Sequence, residues 1–357
     1  MFEFMDEGIN RDIFRLKATL GVVAMMCFAV LAISSVVVFA LYTQSVLSEI
    51  NEPVDSGDGK YALEDGGYNG VGSGLGGAVF GYLVEGDKRS SDDGHGHFKD
   101  VDIIARSAIV WDIREGVAIF EKNPGESLPL ASLTKMMTAV VALEEAYSGF
   151  QVSINSDSLQ QYGNSGLFLE ERWDLENLVK MSMMTSANDA SHAIASAVGS
   201  HLAGSSGRSA KEVFVARMNQ KSRELGLSST FFNNSTGLDM NERTAGAYGS
   251  VLDVLNLTLY TLSEHPSILY STRYPIVEDV SLSNFNHTFI NTNPSVADME
   301  GVLASKTGYT NLAGGNLVVI LNANFNYPVV IVVMGSTFEG RFADVEILAE
   351  ESRKYFY

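Results

Sequence analysis

The first strong pattern along the chain is an unbroken apolar one. No charged residue occurs from Ala18 to Ser48, and Leu20–Leu41 is apolar nearly throughout. A helix rising about 1.5 Å per residue crosses a hydrocarbon core of roughly 30 Å with a run of this length. The apolar core of a cleaved leader is shorter, about 7–15 residues, although Val38-Phe39-Ala40 would serve as its cleavage site. The expectation is an uncleaved transmembrane anchor over residues 18–44. Arg11, Arg15 and Lys17 precede it, and Glu49, Glu52, Asp55 and Asp58 follow before the next cation, Lys60. That asymmetry predicts a short cytoplasmic tail over residues 1–17 and puts everything after the anchor outside the cytoplasm, at the cell membrane.

The pattern then dissolves. Residues 45–100 are rich in Gly, Asp and Ser and poor in large apolar side chains, which predicts a flexible tether. Within it, Gly72-Ser73-Gly74-Leu75-Gly76-Gly77 fits a dinucleotide-binding spacing, but no strand precedes it and no helix follows. His95 and His97 lack the third ligand that a metal site needs. Ala78–Val84 is a short apolar run with no assigned place.

From residue 101 the periodicity becomes that of a packed domain, running to residue 357. Ser107–Asp112 and Val117–Phe120 are β-rich runs around Arg114-Glu115-Gly116, a hairpin signature closed by Pro124-Gly125. Leu130–Glu144 reads as one helix, apolar nearly all round and therefore buried. Leu178–Met184 is apolar and Met-rich. Asn316–Leu321 and Val329–Met334 are apolar β runs with a turn at Asn324–Pro328, and a short helical run starts near Arg341. Strands at both ends with helices between them predict an α+β domain.

Bulk properties narrow the partners. The chain has 357 residues, 46% hydrophobic and 19% charged, and a formal net charge of -19. Such acidity argues against a nucleic-acid partner and against docking on an anionic membrane face. The single cysteine, Cys27, excludes an intramolecular disulfide and a cysteine-based zinc site.

Candidate chemistry begins at Ser132, in the first turn of the predicted Leu130–Glu144 helix. Lys135 follows three residues on, one turn along the same face. Burial among Leu133, Met136 and Met137, with a second cation nearby, would lower the lysine pKa and free its lone pair to activate the serine hydroxyl. Two further groups follow in order: Ser186-Ala187-Asn188, then Lys306-Thr307-Gly308 with Tyr309 behind it. Taken singly, Ser186 and Asn188 equally suit a helix N-cap, and Lys306 a solvated lysine on an edge strand. Asp189 reads as a first-turn helix charge, and His192, His201, His265 and His287 as structural or solvated.

In this order, S-x-x-K, S-x-N and K-T-G resemble the D-alanyl-D-alanine carboxypeptidase family of low-molecular-mass penicillin-binding proteins, serine peptidases of the cell wall. The resemblance runs from about residue 105 to 350. It takes in Ala131–Thr138, Phe214–Asn219, Leu225-Gly226-Leu227, Thr230, Phe232, Asn234–Asp239, Gly335-Ser336 and Arg341. It implies a β-lactamase/transpeptidase-like domain: an antiparallel sheet flanked by helices, with an inserted all-helical subregion and the nucleophile in the cleft between them. It also implies roles. Ser132 attacks the D-Ala-D-Ala bond of a peptidoglycan stem peptide and Lys135 takes its proton. Ser186 relays a proton to the leaving amine, and Asn188 orients Lys135 and the substrate. Lys306 and Thr307 hold the terminal carboxylate, Gly308 admits the substrate closely, and the Ser132 and Tyr309 N–H groups form the oxyanion hole. β-Lactams would be covalent inhibitors, and no metal or organic cofactor is implied. Many members carry a C-terminal β domain and an amphipathic membrane helix. Here the N-terminal segment is expected to provide the tether. The motifs leave open a D,D-endopeptidase, a β-lactamase (for which no Glu-bearing deacylation loop is evident between Asn188 and Lys306) and a non-catalytic wall-binding or β-lactam-sensing protein.

Overall fold

Side chains on a strand alternate between its two faces, and that alternation divides the C-terminal apolar runs between two cores. In the computed structural model, which describes residues 98–163 and 165–357, Val330, Val332 and Met334 join one buried cluster with the helices. Val329, Ile331 and Val333 join the other, against Val345, Leu348 and Ala349 of the last helix, Gly340–Tyr355. The sheet between them has five antiparallel strands in the order β10-β11-β12-β1-β2. These are β1 (Ser107–Asp112), β2 (Val117–Lys122), β10 (Val302–Thr310), β11 (Gly314–Asn324) and β12 (Tyr327–Ser336). The predicted hairpin and the predicted turn after Leu321 are both present. β1 and β2 slip register between Val110 and Trp111, a bulge. Phe98 packs on Phe120 and Tyr355, with ring centroids 5.5 and 6.3 Å apart. The domain therefore begins slightly before residue 101.

Small sheets frame the helical half. β3 (Leu128–Pro129), β6 (Phe231–Phe232) and β7 (Ala247–Gly249) form one, β4 (Gln151–Ser153) and β5 (Arg172–Asp174) a second, and β8 (Ile276–Val280) and β9 (Asn286–Ile290) a third. Between them lie the helices Thr134–Glu145, Leu175–Thr185, Asn188–Ala203, Ala210–Glu224 and Val251–Glu264. The Leu175–Thr185 helix starts where the Asp174 carboxylate accepts the Glu176 and Asn177 N–H groups. A half-buried polar network ties the helical half together. Burial raises the Glu144 pKa, but His265 Nε2 at 3.5 Å, Lys221 at 2.7 Å and the Tyr260 hydroxyl at 2.6 Å outweigh it and hold it at about 2.

The α+β expectation holds for the described domain. No helix among the described residues is long and apolar enough to cross a membrane. The tail (1–17), the expected anchor (18–44), the tether up to residue 97, the glycine run at 72–77 and His95 and His97 lie outside the described residues.

Candidate active site

The predicted Leu130–Glu144 helix is two elements. Ala131–Leu133 forms a single 3₁₀ turn, and the α-helix begins at Thr134. Ser132 thus stands on the turn ahead of the helix, a correction to the expected first-turn placement. The reason lies on both sides of the turn. Leu130 is still held by the sheets: its N–H donates to the Ala247 carbonyl, and its carbonyl accepts from Asn316 Nδ2. Ala131 then takes φ +48°, a left-handed conformation that L-residues adopt at a cost. Gly237 packs against it so closely that a Cβ there would lie 1.8 Å from the Ala131 carbonyl oxygen. The nucleophile is presented on a strained turn clamped from outside.

Lys135 is 1% exposed. Its Nζ lies 2.8 Å from Ser132 Oγ, 2.8 Å from Asn188 Oδ1 and 2.7 Å from the Thr236 carbonyl oxygen. The last two atoms only accept, so they take two N–H bonds. The third direction faces the serine. There the amine either donates as an ammonium or, once neutral, accepts the Ser132 proton into its lone pair. Burial brings the Lys135 pKa down to about 7, against the opposing pull of the Asp189 carboxylate. The second cation expected beside Lys135 is present as Lys306, but the depressing effect of the pair is resolved on Lys306. Its pKa is pushed well below the ordinary lysine value by burial, by Lys135 and by Arg341.

Lys306 is 2% exposed, which removes the solvated-edge reading. Its Nζ donates to Ser186 Oγ at 2.8 Å and to the Thr307 carbonyl at 2.7 Å. Ser186 caps the C-terminus of the Leu175–Thr185 helix at φ +57°, and the N-cap of the next helix is Ala187, which makes no side-chain cap. The helix N-cap alternative for Ser186 and Asn188 is therefore replaced. Asn188 opens the Asn188–Ala203 helix, where its Nδ2 donates to the Tyr162 carbonyl at 2.8 Å, so its Oδ1 must face Lys135. Ser186, expected to relay a proton, is held by Lys306. Thr307 is buried, and its Oγ1 lies 2.6 Å from Thr292 Oγ1. A Cβ at Gly308 would lie 3.2 Å from the Ser132 nitrogen and 3.1 Å from the Leu130 carbonyl, so this end of β10 abuts the nucleophile turn. Tyr309 follows at the half-exposed rim, its ring edge-on to Phe338 at 5.0 Å. The expected site residues gather where the nucleophile turn, the Ser186–Asn188 segment and the Lys306–Tyr309 end of β10 meet.

Several contributors had no role assigned to them from the sequence. Thr236 acts through its carbonyl. Asn234 turns that carbonyl inward, its Oδ1 accepting from the Thr236 and Gly237 N–H groups. Asp189 is a first-turn residue, as expected, but it is buried, and its Oδ2 accepts the Ser165 N–H at 3.1 Å. Arg341 donates to the Gly308 carbonyl at 2.8 Å from beneath the strand. The histidines stand apart. His192 hydrogen-bonds Ser158, and His287 pairs with buried Glu171.

Comparison with known proteins follows the same lines. A family model described as D-alanyl-D-alanine carboxypeptidase matches residues 95–337. The D-alanyl-D-alanine carboxypeptidase DacF of Bacillus subtilis is 31% identical over 250 residues, covering 68% of this chain and 60% of that protein. The D-alanyl-D-alanine endopeptidase of Escherichia coli is 30% identical over 243 residues, covering 65% of this chain and 72% of that protein. Among solved structures, penicillin-binding protein D2 of Listeria monocytogenes, in its ampicillin-bound form, superposes with a TM-score of 0.59 at 26% identity. The match covers 71% of this chain and 99% of that one. The chain thus spans about three fifths of DacF and all but a fraction of the Listeria protein. With a family match over most of its length and this arrangement of Ser132, Lys135, Ser186, Asn188 and Lys306, the chain belongs to the D-alanyl-D-alanine carboxypeptidase family of serine peptidases.

Proposed function

We propose that this chain is a serine-type D-Ala-D-Ala carboxypeptidase that trims peptidoglycan stem peptides through an acyl-enzyme on Ser132. The observation that carries the reading is the 2.8 Å contact between Ser132 Oγ and a buried Lys135 whose pKa is about 7. Ser132 Oγ attacks the penultimate D-Ala carbonyl as its proton passes to Lys135 Nζ. The Ser132 N–H and the Tyr309 N–H donate to the developing oxyanion. The C–N bond then breaks. The leaving amine takes, by way of Ser186, the proton that Lys135 received from Ser132, which returns Lys135 to its neutral form; Ser186 is held for this by its hydrogen bond from Lys306. Thr307 and Lys306 hold the carboxylate of the departing D-Ala by charge-assisted hydrogen bonds. Water, deprotonated by the same Lys135, hydrolyses the ester and restores the serine.

The test is twofold. Mass spectrometry of penicillin-treated protein should find the adduct on the peptide containing Ser132. Incubation with a monomeric pentapeptide muropeptide should release one D-Ala. An adduct elsewhere, or labelling without D-Ala release, would remove the reading.

A D,D-endopeptidase is the second reading, favoured by the naming of the Escherichia coli and Haemophilus influenzae relatives. Cross-linked muropeptides distinguish the two. The apolar run at 18–44, with its flanking charges, supports a third element of the proposal: the enzyme is tethered to the membrane with its catalytic domain outside the cytoplasm. Alkaline extraction of membranes from cells expressing the full chain tests it, since a released protein would contradict an anchor.

A further inference from the structure

The threonine of K-T-G has a neighbour with no assigned role. Thr292 lies between β9 and β10 and is half-buried, and its Oγ1 is 2.6 Å from Thr307 Oγ1. Its placement is over-determined. The Asn291 amide donates to the Thr272 and Tyr274 carbonyls and accepts the Asn293 N–H, while Asn293 in turn accepts the Ser295 N–H. The Thr292 N–H donates to the Met184 carbonyl at 3.0 Å, and its hydroxyl reaches the same oxygen at 3.3 Å. Met184 belongs to the last turn of the Leu175–Thr185 helix, two residues before Ser186. Two rungs therefore join β10 to the end of that helix: Lys306 to Ser186, and Thr307 through Thr292 to Met184.

Each hydroxyl has one proton, so the second rung has two settings. In the first, Thr307 donates to Thr292, and Thr292 donates over the longer 3.3 Å contact to a carbonyl already served by its own N–H. In the second, Thr292 donates to Thr307, and the Thr307 proton is left to face the cleft. A carboxylate only accepts, so it selects the second setting. A carboxamide, which also carries donors, binds either.

We infer that Thr292 is a positioning residue for carboxylate recognition: its hydroxyl turns from the Met184 carbonyl to Thr307 Oγ1, orienting and polarising the Thr307 proton toward the substrate's terminal carboxylate. The inference rests on the carboxypeptidase reading above. Donation into Thr307 strengthens the bond Thr307 makes in turn, because linked hydrogen bonds polarise one another.

The experiment compares wild type, Thr292→Val, Thr292→Ser, Thr307→Val and the Thr292→Val/Thr307→Val double variant. Substrates are an acylated tripeptide ending in D-Ala-D-Ala and the same peptide as its C-terminal amide, with uptake of fluorescent penicillin and thermal melting to check folding. Thr292→Val should raise KM for the free acid by about fivefold with kcat largely retained, a fraction of what a charged hydrogen bond supplies. It should leave the amide unchanged, and Thr292→Ser should restore the acid. In the Thr307→Val background Thr292→Val should add nothing, because its partner is gone. Equal losses on acid and amide, additive losses in the double variant, or an unchanged KM would each overturn the assignment. A wild type that takes up penicillin but cleaves neither peptide sinks the peptidase reading alone. The same cycle read on penicillin acylation rates, a ligand that also carries a carboxylate, then decides for or against Thr292 by the same additivity criterion.

Discussion

If Lys135 is the general base, the acylation rate follows its neutral fraction. A solvated lysine with a pKa near 10.4 is neutral in about one molecule in 2,500 at pH 7. With its pKa at about 7, Lys135 is neutral in half. The difference corresponds to roughly 5 kcal/mol of destabilisation of the buried ammonium, at 1.36 kcal/mol per pKa unit. The second-order rate constant for acylation by a fluorescent penicillin, measured below saturation from pH 5.5 to 9, reports the free enzyme. It should fall about tenfold per unit below pH 7 and level off above. The Asp189 carboxylate raises the Lys135 pKa, so Asp189→Asn removes a stabiliser of the ammonium. The acid limb of this variant should move to lower pH. A profile flat down to pH 5.5, or a limb that moves up in Asp189→Asn, would refute the argument. The first would mean that Lys135 does not titrate on the acylation path, the second that Asp189 does not act on it through charge.

Three further outcomes follow from the geometry. Ser132→Ala should abolish covalent penicillin labelling with an unchanged melting transition, since the turn is held by Leu130, Ala131 and Gly237 rather than by the serine hydroxyl. Gly237→Ala should destabilise the domain by about 3 kcal/mol or more in urea unfolding, combining overpacking with a left-handed conformation at φ +81°. Lys306→Ala should weaken carboxylate-bearing substrates by about 2–3 kcal/mol in kcat/KM, and unchanged kinetics would remove Lys306 from that role.

Much of the fold was legible because its strands announce themselves. The runs from 107 to 112, 117 to 120 and 329 to 334 are rich in β-branched and aromatic residues, with Gly116, Pro328 and Gly335 at their ends, and they recur as β1, β2 and β12. The nucleophile turn was not legible. Nothing in Leu130-Ala131-Ser132 marks a positive φ, because the strain at Ala131 is imposed by contacts from Gly237 and Asn316, remote in sequence. The ordered motifs name Ser132, Lys135, Ser186, Asn188 and Lys306, and the fold sets these side chains in contact in one place. They said nothing of which amine pairs with Ser186, which depends on where the end of the Leu175–Thr185 helix meets β10. A backbone acceptor such as Thr236 gets no role even within the Asn234–Asp239 stretch, and a hydroxyl such as Thr292 lies outside every motif, because each contributes an atom that almost every residue, or many polar ones, could supply.

The two amines explain why the cleft needs so much second support. Two ammonium groups buried side by side repel, and burial penalises each separately. The structure sets them apart by what surrounds them. Lys135 has a carboxylate, Asp189, acting on its charge, and its pKa stays near neutrality. Lys306 is lowered first by burial and then by Lys135 and Arg341, well below the ordinary lysine value. In the proposed reaction a substrate carboxylate beside Lys306 would favour the Lys306 ammonium and, through repulsion between the two amines, the neutral form of Lys135. Substrate recognition and activation of Ser132 are then one electrostatic event. A penicillin derivative whose carboxylate is esterified should lose acylation rate as well as affinity, and an ester that lost affinity alone would show that the two amines titrate independently.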